Sequence, residues 1–229
     1  MIGVTFALPS ESPDFVRRLE SRQRSDALIL GKIASHDVAI VHTGVGAKHC
    51  NERLELLIHK ARPRFVITAG FAGAVTNELR VGDLILARNF SDEGLLARAE
   101  QILLEHNPRR VKLFTSTSIV DSIEQRNEIA RASGAAAVDM ETGAIANVCK
   151  THGVPLVSLR VISDSPSESF PAPMSILFDV EKQKTDLGKL FGYIVAGPTR
   201  LIHLLHFFAR IRDGRKILAN AIVAVVTGI

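Results

Sequence analysis

The run Val138 to Asp164, VDMETGAIANVCKTHGVPLVSLRVISD, constrains the fold of this chain more than any other. A short strand end delivers Met140 and Glu141 to the start of a helix. Ala144, Ile145, Val148 and Cys149 then fall on one helical face. Gly153-Val154-Pro155 breaks the helix, and Leu156 to Ile162 reads as a β run ending on Ser163 and Asp164. In a parallel α/β sheet the carboxyl ends of strands line the ligand crevice. Glu141 and Asp164 are therefore expected where chemistry is done. Each also has an ordinary reading, Glu141 as a helix-start carboxylate favoured by the macrodipole and Asp164 as a turn residue.

The rest of the chain repeats the alternation. Ile2 to Leu8 opens as a β run, and Ser12-Pro13 offers an N-cap and first-turn pair for a helix to about Arg24. Ala27 to Ala34 and Val38 to Thr43 read as strands joined by a polar turn. The Gly44-Val45-Gly46 turn leads into a helix with Ala47, Cys50, Leu54, Leu57 and Ile58 on one side. Phe65 to Ala69 is a buried strand before Gly70-Phe71-Ala72-Gly73-Ala74, and Gly82-Asp83 turns the chain into Leu84 to Ala87. Leu95 to Glu105 looks helical, Val111 to Thr117 extended, and Ser122 to Ser133 helical. Beyond Asp164, Pro166, Pro171 and Pro173 mark a loop. Helical segments follow near Leu187 to Val195, Leu201 to Ile211 and Ile217 to Val226. The pattern predicts an α/β fold in a single domain spanning 1–229, with a core over 1–165 and a loop and helical appendage over 166–229.

With 229 residues and 46% hydrophobic content, the chain is long and apolar enough for one large core. Its two cysteines, Cys50 and Cys149, sit on apolar helix faces and read as buried thiols, not a disulfide framework. The start lacks a charged region followed by a long apolar run, so no signal peptide is expected. No apolar stretch approaches the roughly 20 residues that span a bilayer. A cytoplasmic protein is the expectation. The net charge of +4 is local: Arg200, Arg210, Arg212, Arg215 and Lys216 cluster around the single acid Asp213, and the remaining residues balance at 23 basic to 23 acidic. That distribution, with one Tyr and no Trp, argues against nucleic acid as a partner.

Several motifs lead nowhere. Gly44-x-Gly46 follows a strand, but His49 stands where a dinucleotide fingerprint needs its third glycine. A turn whose backbone N–H groups approach an oxygen-rich ligand is the better reading. The histidines show no metal-ligand spacing. His203 and His206 lie three apart without a carboxylate or cysteine partner, so no metal is expected. Ser163-Asp164 lacks the context of a serine nucleophile.

Four pieces together resemble the nucleoside phosphorylase and nucleosidase superfamily, in its methylthioadenosine/S-adenosylhomocysteine nucleosidase branch. They are Ala7-Leu8-x-x-Glu11 after the opening strand, Thr43-Gly44-Val45-Gly46, Gly70-Phe71-Ala72-Gly73 before Val81-Gly82-Asp83, and Val138-Asp139-Met140-Glu141 with Arg160-Val161-Ile162-Ser163-Asp164. They occur in the family's order over roughly residues 1–165. The resemblance implies a three-layer αβα sandwich around a twisted mixed sheet, no metal or organic cofactor, a small-molecule nucleoside substrate and a homodimer. It also implies cleavage of an N-ribosidic bond. In that scheme Asp164, next to Ser163, is the acid that protonates the purine at N7. Glu141 binds the ribose hydroxyls and Met140 packs on the sugar. Glu11 activates water, and Gly73 and Ile119 offer backbone contacts to the ligand.

The sequence departs from the family in two places. Phe71 replaces a small polar residue, and no aromatic occurs near Ser118-Ile119, where nucleosidases stack on adenine. Phe71 or Phe114 could supply that stacking. Residues 1–16 contain no Arg or Lys and Ala47 replaces a useful hydroxyl, which favours water over phosphate as acceptor. Futalosine hydrolase shares nearly all these residues. The C-terminal basic segment resembles the hopanoid-associated phosphorylase branch, which suggests a larger or lipid-linked adenosyl substrate. Its Leu201, Leu204, Leu205 and Phe208 could lie on one helix face against an anionic membrane. A binding module without turnover is the rival from outside the enzymes.

Overall fold

The computed structural model describes residues 1–168 and 198–229. Its centre is a run of parallel strands. β1 (Ile2–Phe6) lies between β4 (His36–His42) and β5 (Val66–Ala74), and β5 pairs along its length with β10 (Leu156–Asp164). These strands are buried on most residues because helices cover both faces. Antiparallel pairings extend the sheet: β2 (Glu20–Ser25) and β3 (Leu28–Ile33) beyond β4, and β6 (Leu84–Ala87) beyond β10. β7 (Arg109–Val111) runs parallel to β6. Two short strands, β8 (Leu113–Thr115) and β9 (Ala137–Asp139), pair with each other, and β9 adds to the end of β5 at Gly73. The sheet is mixed, as expected.

Three layers follow. α2 (Ala47–Ala61) and α5 (Thr142–Thr151) cover one face, with Leu54, Leu57, Ile145 and Val148 against Ala39, Val41 and Val66. α1 (Pro13–Val16), α3 (Glu93–Ile102) and a long final helix α6 (Pro198–Gly228) cover the other. α4 (Ile123–Ser133) is fixed at its start by a capping box, Ser122 with Gln125, and at its end by Gly134 in the left-handed region. Both cysteines are buried and free.

Three expectations change. The helix after Pro13 stops at Val16, and residues to Ser25 form β2 instead. Every residue of β2 is exposed, so no apolar alternation betrayed it. A charged edge strand also resists pairing with other chains. Val111 to Thr117 is two short strands broken at Lys112, β7 and β8, each with its own partner. The segments Leu201 to Ile211 and Ile217 to Val226 merge into the single helix α6. Its second half belongs to the main core: Leu218, Ile222 and Val225 are buried with Phe6, Phe15 and Leu159. Within its first half Leu204 turns inward while Leu205 and Phe208 face out, so those residues do not share one face. Among the described residues no helix is long and apolar enough to cross a membrane. The segment near Leu187 to Val195, with Pro171 and Pro173, lies outside the described residues.

If α6 is part of the core, its two halves respond differently to truncation. Ile222→Ala, at a fully buried position, is expected to cost about 2–5 kcal/mol. Ile202→Ala, at a position 54% exposed, is expected to change stability by less than about 0.5 kcal/mol. Urea unfolding of both variants reads the difference, and equal small losses would make α6 peripheral.

Candidate active site

Glu11 sits in the loop between β1 and α1. The loop is tied by the Glu11 N–H to the Leu8 carbonyl at 3.1 Å, and by the Leu8 N–H to Glu11 Oε2 at 3.0 Å. Ser12 Oγ bonds His42 Nε2 at 2.8 Å and donates to the Pro9 carbonyl at 3.2 Å. From α6, Arg215 donates to the Ser10 carbonyl at 3.1 Å and pairs with Asp14. The final helix thus holds the loop that presents Glu11. The Glu11 carboxylate lies over β5, 3.5 Å from where a Cβ on Gly70 would stand.

Glu141 caps the start of α5, yet its side chain makes no capping hydrogen bond. The neighbouring Asp139 supplies that contact instead, accepting from the Thr142 N–H at 3.2 Å and from the Thr142 hydroxyl. Asp139 also accepts from Thr115 Oγ1 at 2.9 Å and Arg160 Nε at 3.1 Å. Glu141 is left free to face inward. With Glu11, Thr68, Gly70, Phe71 and Arg160 it lines a small cavity of about 10 Å³, room for roughly one water. Phe71 also touches α6: a Cβ on Gly214 would stand 2.8 Å from its ring.

Two carboxyls in one small space cannot both ionise cheaply. Burial pushes the Glu141 carboxyl up to about 8, aided by the charges of Asp139 and Glu11 and opposed by Arg160. Burial also raises Glu11, against hydrogen bonds from the backbone at Leu8 and the charge of Arg160. Arg160 itself is fully engaged with protein groups. Besides Asp139 it donates to the Leu159 carbonyl at 2.9 Å, Thr68 Oγ1 at 3.1 Å and Thr142 Oγ1 at 2.6 Å.

Asp164 does not line that cavity. It sits three residues further along β5, roughly 10 Å at the rise of a strand, opposite Gly73. A register shift in β10 between Ile162 and Asp164 places it there. A Cβ on Gly73 would come within 2.9 Å of Asp164 Oδ2, so only glycine leaves room. Ser163 Oγ donates to Asp164 Oδ1 at 2.6 Å. The other oxygen is ion-paired with Arg126 of α4, both side chains being almost completely buried. Arg126 also donates to the carbonyls of Ala74 and Val120.

The structure therefore brings Glu11, Glu141 and Phe71 together, and groups Ser163, Asp164 and Gly73 beside them. Met140 and Ile119 are half-buried and line neither group. Arg126 was missed by sequence reasoning. Its helix was legible in the sequence, but nothing in the spacing says that one guanidinium on it turns inward.

A family model described as the phosphorylase superfamily matches residues 1–101 and 87–196. A 5'-methylthioadenosine/S-adenosylhomocysteine nucleosidase of Staphylococcus aureus is 29% identical over 196 residues, 72% of this chain and 86% of its own. One from Staphylococcus haemolyticus is 28% identical over 162 residues, 58% of this chain and 71% of its own. Among solved structures, an MTA/SAH nucleosidase of Streptococcus pneumoniae with 8-aminoadenine matches 100% of this chain and 99% of its own at a TM-score of 0.76 and 20% identity. The native futalosine hydrolase of Helicobacter pylori covers 100% of this chain and 97% of its own at 0.74 and 18%. These structures share the fold in all three layers. The chain belongs to the phosphorylase superfamily.

Proposed function

We propose that this protein is a nucleosidase that hydrolyses the N-ribosidic bond of an adenosine-type nucleoside, of the methylthioadenosine/S-adenosylhomocysteine class, and releases the base. The observation that carries the proposal is the convergence of Glu11 and Glu141 on one cavity at Gly70 of β5, with Asp164 of β10 opposite Gly73, three residues further along β5. The ribose goes to the glutamates and the purine to Asp164. Glu11 takes a proton from the attacking water. Glu141 bonds the ribose hydroxyls. Asp164 delivers a proton to N7, and the carboxylate it leaves behind is already held by Arg126 and Ser163.

Water is the favoured acceptor. Arg160 is the cation lining the cavity, and its guanidinium is spent on Asp139, Thr68, Thr142 and a carbonyl. Phosphate would find no uncommitted bidentate donor there. The likeness to futalosine hydrolase supports a second reading, in which the same residues serve a different 5′ group. Membrane contact through α6 has weaker support. Arg210 pairs with Glu168, Arg215 with Asp14, and Arg212 and Lys216 with Asp213, which leaves less net charge to attract an anionic surface.

Adenine release from methylthioadenosine, S-adenosylhomocysteine and adenosine, followed with and without phosphate, tests the reaction. Release at the same rate in both buffers is expected; dependence on phosphate would make the enzyme a phosphorylase. Glu11→Gln should lower kcat by about 10²–10⁴ while a nucleoside still binds, and an undiminished kcat would assign the base elsewhere.

The raised Glu141 carboxyl has a consequence for stability. Its folded value lies above its unfolded one, so its contribution is fully present below about 4.5 and is lost as pH rises through about 8. Glu141→Gln removes the titration. Thermal melts should coincide for the two proteins near pH 5, and the variant should melt higher at about pH 9. A constant difference across that range would mean that Glu141 is not held protonated.

A further inference from the structure

On the face of the molecule carrying α2 and α5, three side chains that play no part in the proposed reaction point at one spot. Glu55 and His59 lie one turn apart on α2, and His152 is the residue that caps the end of α5. Glu55 Oε2 stands between the imidazoles, 3.3 Å from His59 Nε2 and 2.7 Å from His152 Nε2. One donor atom from each of the three lies within 4.8 Å of the others. The two rings meet edge to face, with centroids 5.4 Å apart at 85°. Among the described residues this is the one group of three His, Cys, Asp or Glu with that geometry.

We propose that Glu55, His59 and His152 form a binding site for a divalent transition-metal ion of the zinc type, which staples α2 to α5. Zinc bonds of about 2.0–2.2 Å to nitrogen and oxygen set tetrahedral ligands a little over 3 Å apart. The present donor separations need only small rotations to reach that, and the side chains are 69% (His59), 41% (Glu55) and 26% (His152) exposed, free enough to make them. Two imidazoles and one carboxylate select zinc, cobalt, nickel or copper over magnesium or calcium, which favour oxygen. The three protein ligands leave a fourth position, which water fills. On binding, the ion replaces whatever protons the imidazoles and carboxylate carry, and no bond in the protein breaks.

The location gives the staple a purpose. α2 starts at the Gly44-Val45-Gly46 turn, and α5 starts at Glu141, about 15 Å from His152 at the rise of a helix. Both helices approach the cavity with their first turns, and the ion joins them at a distance from it. Its role is to fix the angle between the two helices, not to activate water for the reaction.

The test uses untagged protein stripped of metal by chelation, titrated with Zn²⁺ by calorimetry and with Co²⁺ by visible absorption. One equivalent is expected to bind, and a hundredfold excess over Kd should raise Tm by roughly 5–10 °C. His59→Ala and His152→Ala should each weaken binding by about tenfold or more, and the double variant should lose both the saturable isotherm and the Tm rise. Circular dichroism confirms that these surface variants are folded. Binding that survives the double variant would place the ion elsewhere. No saturable binding up to about 1 mM Zn²⁺ would reduce the cluster to a carboxylate pairing with two surface imidazoles. Neither result bears on the nucleosidase reading, which the assay of base release decides separately.

Discussion

The buried ion pair between Asp139 and Arg160 organises this molecule. Asp139 ends β9 and Arg160 lies in the middle of β10, and through threonines the pair reaches further elements: Thr115 of β8, Thr142 at the start of α5 and Thr68 of β5. Isolated, such a pair would cost more in desolvation than it returns. Here every partner is a hydrogen-bonding group already in place, so the network is satisfied and specifies one arrangement. Removing either charge would strand the other in the interior, at a cost of about 3–5 kcal/mol. The pair also decides the setting of Glu141. Asp139 takes the capping bond that the glutamate would otherwise make, and the charge of Arg160 tempers its burial.

Much of this was written in the sequence, and the failures have physical causes. β1, β5, α2, α5 and β10 announce themselves because each has a clear period or a clear boundary, and all border the core. β2 could not be seen, since Glu20–Ser25 is polar on both faces and owes its form to pairing with β3. The continuity of α6 was hidden by the charged residues around Gly214, between its two apolar stretches. The glycine is there because α6 crosses the Phe71 ring too closely for a side chain. Glu141 and Asp164 were expected from their places at element ends and Glu11 from resemblance, but their contacts were not. Which oxygen meets Arg126, and which group spends Arg160, depends on segments remote in sequence. The same holds for Glu55, His59 and His152: spacing along the chain joins two of them, and only the packing of α2 on α5 brings in the third.

The two halves of the site differ in how they treat charge, and the difference suits the proposed reaction. Around Gly70 the acids are crowded, buried and raised, so that space resists negative charge until a positive partner arrives. Around Gly73 a carboxylate is already ion-paired and satisfied. As an N-ribosidic bond breaks, positive charge grows on the ribose while electrons move into the base. A sugar at the first end would relieve the crowding of the glutamates most in the transition state. A purine at the second end would find donors and a cation behind the acid that serves it. Interactions that strengthen only as the bond breaks are the ones that raise kcat.

The C-terminal helix is the least expected contributor to this arrangement. Two of its basic residues, Arg210 and Arg215, are tied to other parts of the protein. Arg215 reaches the carbonyl of Ser10, the residue before Glu11, while Leu218 and Ile222 anchor the same stretch of helix in the core. One turn earlier, Gly214 lets the helix close over Phe71. The helix thus holds both the loop of Glu11 and the aromatic that walls the cavity. A nucleoside entering past Phe71 would meet a wall backed by a fixed helix. The shape of that wall is therefore set by how α6 sits on the sheet.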